Sequence, residues 1–132
     1  MKQLSRFTLF VLSMLIFFSC SKEENEISKD KSQILGSWSE TSTAEEDYVS
    51  MNMEIIWTFN DNNTSTQEVT ISLNDITIEN KINYYSYIYN GDNITFTDKN
   101  NKEWTYEVEV SNNKMRLGNE ESGYFNLTKK TK

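Results

Sequence analysis

The sequence predicts an all-β fold: an antiparallel up-and-down β-barrel of about eight strands, preceded by a signal peptide and a flexible tether. Three observations predict it. Apolar residues recur with a period of two from Leu35 onward. Asn-rich breaks punctuate the chain at short intervals. No segment beyond residue 35 carries a long amphipathic helical pattern.

The N-terminus has the three zones of a secretory signal. Lys2 and Arg6 make a basic start, Phe7–Phe18 is an uncharged apolar run, and Ser19-Cys20-Ser21 are small. As a helix the run spans about 18 Å, against a hydrocarbon core of about 30 Å, so it is too short to be a transmembrane segment. Cys20 is the only cysteine and sits where the run stops. Phe17-Phe18-Ser19-Cys20 resembles a lipobox, with Phe17 in place of the usual Leu. That resemblance implies a signal peptide over 1–19, lipid attachment at Cys20 and a membrane anchor. Two acyl chains give stable anchoring at roughly 0.8 kcal/mol per buried CH₂. Ser21–Gln33 is Ser, Lys, Glu and Asp with a single Ile, and completes a flexible tether over 20–33. Its start, Cys20-Ser21-Lys22-Glu23-Glu24, resembles an acidic export tag. That would place the lipoprotein at the outer membrane, exposed on the cell surface. An ordinary polar linker is the alternative.

Composition excludes whole chemistries. Without residues 1–19 the chain has 11 Lys+Arg against 20 Asp+Glu, a net charge of −9. An acidic domain repels nucleic acid. There is no His, so Ser-His-Asp and Cys-His catalysis and His-ligated metals are ruled out. With Cys20 acylated, no thiol remains for a disulfide. The expectation is a non-enzyme with no cofactor, no metal and no catalytic residues.

The strands follow from alternation. Ile55, Trp57 and Phe59 alternate with Glu54, Ile56 and Thr58. Val69, Ile71 and Leu73 alternate with Glu68, Thr70 and Ser72. Trp104, Tyr106, Val108 and Val110 alternate with glutamates and Thr105. Turns fall at Asn60–Asn63, Asn74-Asp75, Asn90–Asn93, Asn100-Asn101 and Asn112-Asn113, because Asn tolerates positive φ. The expected strands are roughly 36–42, 53–60, 66–73, 76–80, 82–89, 93–98, 103–111, 113–118 and 123–130, within a domain over 34–132. Thr43–Ser50 is the only long break, and reads as a helical turn or loop. Barrel closure removes the exposed edges of such a meander. A two-sheet sandwich is the runner-up.

Leu35-Gly36-Ser37-Trp38 resembles the Gly-x-Trp that opens the first strand of lipocalins, where the Trp plugs the closed end. Trp57-Thr58-Phe59 before an Asp-Asn turn, and the later Tyr-rich, Trp-Thr-Tyr and Tyr124-Phe125 strands, are similar to the short lipocalin-like domains of bacterial lipoproteins. The resemblance covers residues 34–130 and implies ligand binding. In that family an Arg near the last strand packs over the Trp. This chain has Lys129-Lys130 there, and Arg116 sits one hairpin earlier.

Candidate sites follow. Trp57, Phe59, Trp104 and Tyr106 are candidate ligand-binding residues, lining a cavity for a small apolar or sugar ligand. On β alternation Tyr85, Tyr87 and Tyr89 share one face and Ile82, Tyr84 and Ile88 the other. Placing the Ile face in the core makes Tyr85, Tyr87 and Tyr89 a surface contact stripe for sugars or a protein partner. The alternative is Tyr packed along the barrel wall. Thr43–Met53, with Met51 and Met53, reads either as a gate over the barrel mouth or as a solvated acidic loop. Glu107 and Glu109 stand about 7 Å apart on a strand, but on its polar face. Asp98–Glu103 and Asp61–Thr66 are oxygen-rich, yet match hairpin turns better than calcium loops. A filled barrel acting through its outer surface as an accessory, inhibitor or immunity factor is the alternative function.

Overall fold

The computed structural model describes residues 30–131. The expected signal peptide, Cys20 and most of the tether lie outside the described residues. The strands are β1 (Gly36–Glu46), β2 (Val49–Phe59), β3 (Thr64–Leu73), β4 (Ile76–Tyr89), β5 (Asn93–Thr97), β6 (Glu103–Ser111), β7 (Lys114–Asn119) and β8 (Gly123–Lys129). Each pairs antiparallel with its neighbour in sequence, and β8 returns to β1, so the sheet closes into an eight-stranded barrel.

Three local expectations are corrected. Thr43–Ser50 is not a loop. It completes a long hairpin in which only Asp47 and Tyr48 turn, at φ 44 and 72. The expected break between 80 and 82 is absent. β4 runs through Lys81, and the irregularity is a bulge that leaves Ile78 unpaired between Ser72↔Thr77 and Ile71↔Glu79. Regular structure is also present before residue 34. Lys31–Gln33 form a 3-10 turn capped by the Asp30 side chain, which accepts from the Ser32 N–H at 3.0 Å. That bond holds the Asp30 carboxyl below its ordinary pKa.

The turns between strands follow the Asn signal. Asn74-Asp75 and Asn112-Asn113 have both residues at positive φ, as a two-residue hairpin turn with the twist of its strands requires. At one end of the barrel lie the β2–β3, β4–β5 and β6–β7 turns together with both ends of the described chain. This end is closed. Ile34 and Trp38 are fully buried there, and the Trp38 indole N–H donates to the Ile34 carbonyl at 2.9 Å. The Lys129 ammonium stands 5.1 Å over the Trp38 ring. Lys31 ties the 3-10 turn to the β2–β3 turn, donating to the Asp61 carbonyl and, at 2.6 Å, to Asn63 Oδ1.

The other end is uneven. β1 pairs with β8 only at Trp38 and Ser39, and β4 pairs with β5 only over Ser86–Tyr89. The far halves of β1–β4 continue to pair with one another. They therefore rise past β5–β8 as a four-stranded sheet. Outward positions on β6 are Glu103, Thr105, Glu107 and Glu109, all exposed, while Val108 points into the core. Along β6 the wall is thus polar outside and apolar inside, whereas on β4 the outward Ile82, Tyr84 and Ile88 are exposed. Among the described residues no helix is long and apolar enough to cross a membrane.

Gly118 is where β7 approaches β8 most closely. It has φ 151, and a Cβ there would lie 2.1 Å from the Gly123 carbonyl oxygen. Gly118→Ala is expected to lower stability by about 2 kcal/mol or more, read as an earlier urea midpoint at unchanged m-value.

Candidate functional site: an aromatic floor beneath an open apolar wall

Cross-strand register determines which side chains share the inner face. Trp38↔Trp57↔Gln67↔Asn83 form one inward row. The next rows toward the mouth are Glu40↔Ile55↔Val69↔Lys81, then Ser42↔Met53↔Ile71↔Glu79, then Ala44↔Met51↔Leu73↔Ile76. The centre of each upper row is aliphatic and its margins are polar or small, except Ile76 at the tip. Met53, Ile55, Val69, Ile71 and Leu73 are half-buried, and Met51 is exposed. This is the inner face of the raised sheet. It is continuous with the barrel core but stands beyond β5–β8.

Below it the interior is filled with rings. Trp57 lies at the centre, 5.1 Å from Phe96, 5.9 Å from Tyr85, 5.9 Å from Phe125 and 6.1 Å from Phe59. Trp104 stacks on Phe96 at 5.5 Å and meets Tyr85 edge-on at 5.0 Å. Tyr106 meets Phe96 edge-on at 5.7 Å. Such offset and edge contacts add about 0.5–1.5 kcal/mol each beyond area burial. The four expected ligand residues therefore share one cluster at two depths. Trp57 and Phe59 are buried, whereas Trp104 and Tyr106 are half-buried and, with Tyr85 and Phe125, form a floor below the apolar wall.

The Tyr stripe is corrected. Tyr87 is 2% exposed, and Tyr85 and Tyr89 pack against the core, whereas Ile82, Tyr84 and Ile88 are exposed. The faces are the reverse of those expected from ranking Ile as more apolar than Tyr. A Tyr inside this barrel reaches a backbone acceptor at the closed end. The Tyr87 hydroxyl donates to the Asn60 carbonyl at 2.7 Å, and that of Tyr89 to the Gly91 carbonyl at 3.1 Å. Burial, and then the Asp61 charge, push the Tyr87 hydroxyl up to about 12. Burial also raises that of Tyr85, with smaller contributions from Tyr106 and Asp98.

Among the described residues two buried polar atoms have no hydrogen-bond partner: Trp57 Nε1 and Ser65 Oγ. Each costs about 1–3 kcal/mol when left unmet. No sequence signal points to either. The expected gate Thr43–Met53 is instead a paired hairpin that forms rim and wall. Met51 and Met53 line the wall, and Tyr48 stands fully exposed at the hairpin tip.

Of the remaining acidic candidates, Glu107 and Asp98 have structural partners. Glu107 accepts from the Tyr124 hydroxyl at 2.7 Å, which raises the Tyr124 pKa, and the Arg116 guanidinium lies 3.6 Å over the Tyr124 ring. Asp98 Oδ1 accepts from the Asn100 and Lys102 backbone N–H groups, as a turn residue does. Among the described residues no group of His, Cys, Asp or Glu converges as metal ligands would. Comparison with protein-family models, curated proteins and solved structures returns no match.

The Tyr87 hydroxyl titrates above the ordinary value of 10 in the folded chain. Its stabilisation is whole below pH 10 and is lost as pH rises through about 12. Thermal melts should therefore be flat to pH 9 and fall between pH 10 and 12. Tyr87→Phe should lower stability by about 1 kcal/mol at neutral pH and shrink the alkaline fall.

Proposed function

We propose that the protein is a cell-envelope lipoprotein, anchored in the outer membrane through acylated Cys20, whose lipocalin-like barrel binds a small apolar or aromatic-contacting ligand. The observation that carries this reading is the open inner face of β1–β4. It places Met53, Ile55, Val69, Ile71 and Leu73, all half-buried, above a floor of Tyr85, Trp104, Tyr106 and Phe125. A soluble domain gains nothing by holding aliphatic side chains half in water unless something covers them. Met51 and Met53 suit a ligand of irregular shape. The lipocalin-like reading is supported by Trp38 at the closed end and by the Lys129 ammonium over it, where that family places an Arg. The reading is binding rather than catalysis, because the centre of the wall is aliphatic and the charged Glu40, Glu79 and Lys81 stand at its margins.

The ligand sits on the floor, not deep in the barrel. Trp57, Phe59 and Phe96 already fill the lower half by stacking on one another. That same filling favours the second reading, a solid barrel acting through its outer surface on a protein partner.

N-phenyl-1-naphthylamine, a neutral apolar fluorophore, distinguishes the two. Saturable fluorescence enhancement is expected, with Ile71→Glu weakening binding by roughly tenfold or more while the far-UV spectrum is kept. Absence of saturable binding would shift the reading to the outer surface. The anchor has its own test. Cys20→Ser should abolish incorporation of labelled palmitate and release the protein from membranes. Membrane retention with an unmodified Cys20 would remove the lipoprotein assignment.

A further inference from the structure

Raising β1–β4 past the rest of the barrel leaves two free strand edges. They differ in chemistry. The β1 edge over Thr41–Glu46 is hydroxylic and ends in Glu45-Glu46, so a second strand of the same kind is repelled. The β4 edge is not guarded in this way. β4 loses its β5 partner beyond Ser86. Along that free stretch Ile76, Ile78, Ile82 and Tyr84 are 69%, 56%, 43% and 69% exposed.

The order of residues on this edge is nearly its own mirror image about Asn80. Reading outward in both directions gives Glu79 and Lys81, then Ile78 and Ile82. In an antiparallel pair centred on Asn80, each residue faces the one equidistant on the other side of the centre. Glu79 then faces Lys81 of a second copy, and Lys81 faces Glu79 of that copy. Ile78 meets Ile82 twice. Glu79 and Lys81 both point to the inner face, since their partners on β3 are Ile71 and Val69. Neither forms an ion pair within the described residues. Lys on a sheet edge is usually a guard against pairing. Placed two residues from Glu79, it becomes complementary to its own strand.

The window has defined ends. The bulge at Ile78 changes the facing of β4 toward its tip. At the other end the Asp98-Lys99 turn approaches Tyr84 and Tyr85 across a surface groove of about 390 Å³. What remains is the regular stretch 79–82, with Ile78 at its boundary on the bulge.

We propose that two copies of this chain pair through the β4 edge, antiparallel and centred on Asn80, as a two-fold dimer in which β1–β4 of both copies form one continuous sheet. The contact is isologous, so every substitution acts twice. It is small and gains from exposed ion pairs and cross-strand Ile contacts, which makes it a weak, concentration-dependent dimer.

The test is sedimentation of the full chain in density-matched detergent over a concentration series. The wild type is expected to shift from monomer to dimer. Lys81→Glu and Glu79→Lys each set like charges opposite one another and should weaken association by roughly tenfold or more. The double variant Glu79→Lys with Lys81→Glu should restore it. An equimolar mixture of the two single variants should form a heterodimer, because each supplies the charge the other needs. That arm also shows that neither single variant failed through unfolding. A wild type that stays monomeric throughout, a dimer indifferent to either single substitution, or a mixture that fails to associate would each overturn the proposal.

Discussion

The barrel is held shut at one side chain. β1 and β8 meet over only two residue pairs, and Trp38 belongs to one of them. Its indole N–H satisfies the carbonyl of Ile34, which brings the N-terminal turn under the barrel. Its ring carries the Lys129 ammonium from β8. Its other surface joins the core. A buried Trp in such a position contributes about 3–5 kcal/mol, out of about 5–15 kcal/mol for a whole domain. The Lys130 N–H adds one backbone bond to the Ser37 carbonyl at 2.9 Å beside this seam, and all other strand pairings are local hairpins.

Closure at one end sets the conditions at the other. The two-pair seam lets β1 diverge from β8 soon after Ser39. Glu40 reaches across the gap and accepts from the Asn126 backbone N–H at 3.3 Å, a single side-chain bond where a ladder would otherwise continue. On the opposite flank β4 leaves β5 after Ser86. The molecule therefore has two halves of different character. One is packed with rings and holds two unpartnered polar atoms, Trp57 Nε1 and Ser65 Oγ. The other is a single sheet with an aliphatic inner face and, among the described residues, no second layer to cover it.

This division explains what could be read from the sequence. Where the barrel is closed, one face of each strand is dry and the other wet, so alternation is strong. Trp57, Phe59, Trp104 and Val108 fall on the face that the period of two assigns them. Where the sheet stands alone the pattern depends on the strand. Val69, Ile71 and Leu73 keep it on β3, whereas Thr43–Ser50 lacks it because the inward position Ala44 is small, although Asp47-Tyr48 forms a two-residue turn. The reversal on β4 has another cause. Hydropathy places Ile inside and Tyr outside, but the closed end offers the Asn60 and Gly91 carbonyls as acceptors, and a phenol can use them. The pairing of Tyr87 with Phe96, itself fixed by Ile94 and Phe96 alternating with threonines, was the available clue. The unpartnered atoms and the free β4 edge are consequences of tertiary register, to which a one-dimensional pattern is blind.

The position of the N-terminal turn has a directional consequence. Residues 31–33 are fastened beneath the barrel by Lys31, on the side of the β2–β3 turn and away from the Tyr48 tip. The chain before Asp30 therefore enters at the base of the barrel, at the opposite end from the aliphatic face. Were the proposed anchor at Cys20 in place, the ten residues from there to Asp30 would span at most about 35 Å, and the aliphatic face would turn away from the membrane.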